Sequence, residues 1–163
     1  MHDMTGTAAG ALDSAALARL RVLEDKEALR ALMVRGWRAL DRKDWHTWID
    51  CWSPDAVLAF EPWGVLHGKE AIRAKVTDTE SGYPAMQHHI LNMHFDVDAD
   101  RATGIGYMWF VARAGATPAP QAPYAMGGTY EWTFNRTADG WLLDRQDLAV
   151  LWTSGTDTRG AFG

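Results

Sequence analysis

The sequence predicts an α+β domain, a cone-shaped barrel in which helices pack on one face of a strongly curved, mostly antiparallel sheet and enclose a pocket. Three observations point there. Apolar residues recur at helical spacing through the first third of the chain. Long segments of strand character, each bounded by turn residues, fill the chain after Pro84. Helices that precede the strands, rather than alternate with them, are the order of an α+β domain and not of a parallel sheet. A length of 163 residues suits one such domain with a sizeable core. It is expected to span residues 13–153, between a loose N-terminus at 1–12 and a loose C-terminal tail at 154–163.

Asp13 or Ser14 can cap a first helix that begins at Ala15-Ala16-Leu17. From Asp25 onward Leu29, Leu32, Met33, Trp37 and Leu40 make one apolar stripe, with Asp41 four residues after Trp37. Asp44 caps a short helix through Trp45, Trp48, Ile49 and Trp52, which Ser53-Pro54-Asp55 ends. Two short strands follow, at 56–60 and 64–67, and a helix from Lys69 to Thr79 carries Ala71, Ile72 and Val76. Strands are expected at 87–97, 102–114, 125–136 and 141–152. The breaks between them are Asp98-Ala99-Asp100, a Pro/Ala/Gly loop from Gly115 to Pro123, and Ala138-Asp139-Gly140.

Composition excludes several function classes. A net charge of −5 without a basic cluster argues against nucleic acid or an anionic membrane as partner. No apolar run has the length of a transmembrane helix, and the N-terminus lacks the pattern of a secretory signal. The single cysteine, Cys51, rules out an internal disulfide and fits a cytoplasmic setting. Nine Trp in so short a chain imply a core, pocket or interface rich in aromatic surface.

The stretch Met86 to Met93 carries the chemistry. Alternation along a strand places Met86, His88, Ile90 and Asn92 on one face and Gln87, His89, Leu91 and Met93 on the other. A buried imidazole needs partners. Asp41, at the end of its helix, needs a donor, because the helix dipole there disfavours a carboxylate. A His88–Asp41 pair would satisfy both and form a general base. The plainer alternative is a solvated helix end and a satisfied core histidine. A metal site among His46, His67, His88, His89 and His94 is disfavoured: His88 and His89 point to opposite faces, and His88 and His94 lie about 20 Å apart along the strand. No cofactor is expected. Gly104-Ile105-Gly106 lies inside a strand and lacks the third glycine of a phosphate loop, and Gly127-Gly128 reads as a bulge or close backbone approach. Ser53, Ser81 and Cys51 have no nucleophile motif around them.

Arg38-Ala39-Leu40-Asp41-Arg42-Lys43-Asp44-Trp45, Trp52-Ser53-Pro54-Asp55-Ala56 and Gly68-Lys69-Glu70-Ala71-Ile72, followed by His88 to Asn92, Gly127-Gly128-Thr129-Tyr130 and Asp139-Gly140-Trp141, resemble the SnoaL-like, polyketide-cyclase-like branch of the nuclear transport factor 2-like superfamily. Within it the chain is similar to scytalone dehydratase, bile-acid 7α-dehydratase and hexachlorocyclohexane dehydrochlorinase, cofactor-free lyases of hydrophobic substrates. The resemblance implies a lyase acting on a hydrophobic, aromatic small molecule, by loss of water or retro-aldol loss of a small carbonyl such as formaldehyde. His88 would be the base, Asp41 its orienting acid and Tyr130 a hydrogen-bond donor. The pocket wall would comprise Trp37, Leu58, Leu66, Met86, Asn92, Met108, Phe110, Met126, Gln146, Leu148 and Val150. Relatives carry a tyrosine or lysine where this chain has Gly36, and an arginine where Gln146 falls, groups that help a leaving chloride or hydroxide depart. Two alternatives share the fold: an isomerase or cyclase using the same base, and a non-catalytic small subunit of a ring-hydroxylating dioxygenase. The resemblance also implies a homotrimer, or failing that a homodimer, with the outer face carrying His89, Leu91, Met93 and Phe95 as its interface.

Overall fold

A computed structural model describes residues 5–113 and 123–162, with side chains from Asp13 onward. Residues 1–4 of the N-terminal segment, the Pro/Ala/Gly loop up to residue 122, and Gly163 lie outside the described residues. The order is α1 (Thr5–Asp41), α2 (Trp45–Ile49), β1 (Trp52–Phe60), β2 (Gly64–His67), α3 (Lys69–Glu80), β3 (Ala85–Asp98), β4 (Arg101–Arg113), β5 (Tyr124–Thr137) and β6 (Gly140–Ser154). One six-stranded sheet runs β2-β1-β6-β5-β4-β3. Only the β1–β6 pairing is parallel. The sheet is curved and unclosed, with β2 and β3 as its edges, and the α+β class read from the sequence is what the chain adopts.

The apolar stripe of α1 does what its spacing predicts. Leu29, Leu32, Met33, Trp37 and Leu40 are buried where α1 packs on β3, β6 and α2. The helix itself begins earlier than the sequence suggests: Asp13 and Ser14 lie inside it and do not cap it. Asp44 caps α2 as expected, its Oδ1 accepting from the Thr47 amide at 3.1 Å. Ser53-Pro54-Asp55 does not terminate that helix but belongs to β1, at the register shift between Trp52 and Val57. A proline without an N–H is tolerated where the ladder is already interrupted. A second shift falls at Gly127/Gly128, where a Cβ on Gly128 would overlap the Ala149 carbonyl.

A third irregularity overturns part of the face assignment. The β3–β4 register slips between Leu91 and His94, and Asn92 sits there with φ of 53°. One inserted residue reverses the alternation beyond it. Met86 and His88 therefore face inward as expected, but Phe95, expected outside, is buried, and Asn92, expected on the pocket wall, is exposed. The outer face of β3–β4 still presents Leu91, Ile105, Tyr107 and Trp109.

The tail is likewise not loose. Phe162 is buried against Phe60, Trp63, Tyr83, Phe110 and Tyr124. Its amide donates to Asp157 at 2.8 Å, Tyr83 donates its hydroxyl to Asp157 at 3.1 Å, and the Trp63 indole N–H donates to the Ala161 carbonyl at 2.9 Å.

Asp25 fastens α1 to the far end of the sheet. Arg136 donates to both its oxygens at 2.7 Å, and the Trp141 indole donates to Oδ1 at 3.1 Å. Arg136 also lies over the Trp141 ring, 4.3 Å from its centroid. This cluster holds the Asp25 carboxyl below the usual carboxylate range, chiefly through the Arg136 hydrogen bonds. Asp25→Ala should lower unfolding stability by about 1–2 kcal/mol in urea titrations, because it leaves the Trp141 indole without its acceptor and Arg136 with only Asp100 and the Ala99 carbonyl. A change within error would remove Asp25 from the account of the fold.

Candidate active site

Two elements bring the predicted pair together. Asp41 is the last residue of α1, and His88 lies on the inward face of β3, before the bulge. The His88 Nδ1–H donates to Asp41 Oδ1 at 2.7 Å, and the His88 backbone amide donates to the same carboxylate at 2.9 and 3.2 Å. The acid at the unfavourable end of a helix dipole thus receives two donors from one residue. Both the position and the rotamer of the imidazole follow from this.

The other ring nitrogen meets a residue that the sequence reading overlooked. Glu80, the last residue of α3, places Oε1 3.7 Å from His88 Nε2. Its side chain is 5% exposed, and Oε2 is buried with no hydrogen-bond partner. His88 is thus an imidazole between two carboxylates. Burial pulls its pKa down, but the Glu80 charge and the hydrogen bond to Asp41 prevail and push it up to about 9. A signal for Glu80 did exist: it stands four residues after Val76 and eight after Ile72, on the buried stripe of α3.

His88 and Glu80 line a small cavity of about 40 Å³. Of the residues expected on its wall, Trp37, Leu58, Met108, Met126, Tyr130, Gln146 and Leu148 are there. Phe110 is a neighbour of the base instead, its ring 4.7 Å from the His88 imidazole. Met86 is buried outside the wall, and Leu66, on the edge strand opposite Leu58, packs on the core. Val150 lines a separate surface cleft beside Tyr124 and Thr153, and Asn92 lies out on the bulge. The sequence reading missed Leu40, Trp48, Phe60, Trp63, Val76 and Phe162 as wall residues. Phe162 left a trace, as the sole aromatic of a tail otherwise small or polar. About 40 Å³ holds a water but not an aromatic ring, so a ligand reaches His88 only if wall side chains move.

Tyr130 accepts from the Trp37 indole N–H at 3.3 Å, and burial keeps its phenol protonated. Gln146 is buried, and its Oε1 accepts from Trp132 at 2.9 Å. Gly36 packs against Cys51, whose Sγ would stand 3.1 Å from an added Cβ. A larger side chain there meets the Cys51 thiol first, which accounts for the glycine. Among the described residues no three His, Cys, Asp or Glu side chains are placed to share a metal ion, and no helix is long and apolar enough to cross a membrane.

The SnoaL-like domain profile matches residues 21–147, a span that contains α1 from its middle, the whole His88 site and most of β6. The chain belongs to the SnoaL-like domain family. No protein of curated function matches it. Among solved structures, this SnoaL-like chain is similar to an NTF2-like protein with a cystatin-like fold from Novosphingobium aromaticivorans. That match has 25% identity and a TM-score of 0.68 over 99% of this chain and 96% of that one. It is also similar to a protein from the same organism provisionally named a scytalone dehydratase, at 17% identity and a TM-score of 0.71, covering 90% and 93%. A third is a type 2 hexachlorocyclohexane dehydrochlorinase, LinA, at 18% identity and a TM-score of 0.68, covering 90% and 94%. The last two likenesses establish the shared fold.

The protonation of His88 is coupled to folding. The folded chain keeps the proton up to about pH 9, whereas the ordinary histidine value is 6.5. The stabilisation from this group is therefore fully present below about 6.5 and is lost as pH rises through about 9. The urea midpoint of the wild type should fall across that window, and His88→Gln should flatten the slope. A wild-type midpoint that rises or stays level there, with His88→Gln following the same curve, would contradict the arrangement.

Proposed function

We propose that this protein is a cofactor-independent lyase that eliminates water from a hydrophobic, flat small molecule, with His88 as the proton-abstracting base. The observation that carries this reading is the orientation of the imidazole. Nδ1 is fixed by Asp41 behind the ring, and Nε2 looks toward a cavity walled by aromatic and methionine side chains. Once Nε2 has released the proton it carries up to about pH 9, a base so held takes a C–H proton from a substrate lying against that wall. Asp41 stabilises the resulting imidazolium and keeps the tautomer. Tyr130, which burial keeps protonated, offers its hydroxyl to an oxyanion that develops next to the reacting carbon.

Water is favoured over halide as the departing group. Among the described residues the wall contains no Lys or Arg to receive a chloride, and the resemblance implies such help in relatives where this chain has Gly36 and Gln146. The dehydratase and dehydrochlorinase among the structural neighbours make elimination a natural chemistry for this fold. The wall also fits the substrate class: Trp37, Trp48, Trp63 and Phe60 give it an aromatic lining that suits a planar apolar guest.

A suitable probe is 4-hydroxy-4-phenylbutan-2-one, whose loss of water gives a conjugated enone visible by absorbance. The wild type should accelerate this reaction. His88→Ala should remove the acceleration, a loss of about 100-fold or more, and Asp41→Asn should lower it at least about tenfold, both with an unchanged circular dichroism spectrum. A folded His88→Ala variant with full turnover, or a wild type that leaves the probe at its uncatalysed rate, overturns the reading.

A further inference from the structure

Glu80 is the buried group that the base–acid pair leaves unexplained. Two of the three described buried side-chain atoms without a partner belong to the cavity wall: Glu80 Oε2, an acceptor when ionised, and Trp48 Nε1, a donor. Orphaned buried groups are costly, and the Glu80 oxygen suits a ligand that donates to it, as a hydroxyl does. The carboxylate oxygen Oε1 also stands 3.7 Å from His88 Nε2, as an ion pair with that nitrogen. A substrate that fills the cavity displaces its water, and desolvation then disfavours an imidazolium facing a carboxylate relative to the neutral pair of imidazole and carboxylic acid. That neutral pair is a ready base beside a ready acid.

We propose that Glu80 is the general acid of the site, the group that hands a proton to the departing oxygen. The proposal rests on His88 being the base. When substrate fills the cavity, the Nε2 proton passes from His88 to Glu80. Neutral His88 then takes the C–H proton, and the C–H electron pair becomes the new carbon–carbon double bond. The C–O bond breaks, and its electron pair, left on the oxygen, takes the proton from Glu80, so that water departs. His88 is left as imidazolium and Glu80 as carboxylate, which is the resting pair. No other reactant is consumed. Base and acid belong to one pair, so proton and hydroxyl leave from the same side of the substrate. Glu80 thereby fills, from α3, the role of the leaving-group helpers that Gly36 and Gln146 do not supply.

Two probes separate the acid from the base. Ring opening of 5-nitrobenzisoxazole needs a base only, since its phenolate leaves unprotonated. Dehydration of 4-hydroxy-4-phenylbutan-2-one needs both. The charged groups facing His88 are Asp41 from α1 and Glu80 from α3, with Tyr130 of β5 neutral on the same wall. In the wild type, ring opening should rise through about pH 9 as His88 loses its proton, and dehydration should fall there as the pair loses the proton it donates. Glu80→Gln should lower dehydration about 100-fold. At pH 7 it should raise ring opening severalfold, because the charge that holds the His88 proton is gone. Glu80→Asp, should the Gln variant not fold, should keep part of the dehydration activity and its fall at high pH. Equal losses on both probes in Glu80→Gln, or dehydration within about threefold of wild type, overturn the proposal while leaving His88 as the base. Ring opening that survives in His88→Ala overturns the base reading instead.

Discussion

The chain Asp41–His88–Glu80 is the constraint on which the rest depends. It joins the C-terminus of α1, the inward face of β3 and the C-terminus of α3, so three elements meet at one imidazole. Two carboxylates and one imidazole beneath a hydrophobic sheet are expensive to desolvate, and only mutual pairing makes the arrangement tolerable. The pairing is uneven. Asp41 is saturated by His88 itself, through ring and backbone, whereas Glu80 retains an oxygen with nothing to bind. One carboxylate is therefore a fixed support, and the other has capacity for a ligand.

The surrounding packing confines the polar chain to a small apolar space. Trp37 stacks on Trp52 and meets Tyr130 edge-on, while Phe110 lies against the His88 ring. From the far side the C-terminal tail brings Phe162 into the same aromatic cluster, held by Asp157 and the Trp63 indole. The wall is thus assembled from both ends of the chain. Such surroundings leave room for little water, which strengthens every electrostatic interaction inside and favours a planar apolar guest.

Much of this was legible in the sequence because it rests on periodicity. The α1 stripe, the Asp44 cap, the spans of the four long strands and the inward face of β3 up to His88 all follow local rules that tertiary contacts did not override. What was not legible depends on register and distant contact. The bulge at Asn92 has no glycine to announce it, yet it turns Phe95 inward and carries Asn92 away from the cavity. Glu80 reads as an ordinary acidic helix end unless its phase with Ile72 and Val76 is followed. The tail binds through partners some 70 to 100 residues distant, which no local pattern encodes.

The central claim is that the folded site holds a proton on an imidazole flanked by two carboxylates. Nitrogen-15 NMR of the histidine ring nitrogens in the wild-type protein, titrated from about pH 5 to 10, measures it directly. The account predicts that His88 Nδ1 stays protonated throughout, bound to Asp41, while Nε2 loses its proton near pH 9. A His88 ring that titrates at or below the ordinary histidine value, or that carries its neutral-form proton on Nε2, would contradict it.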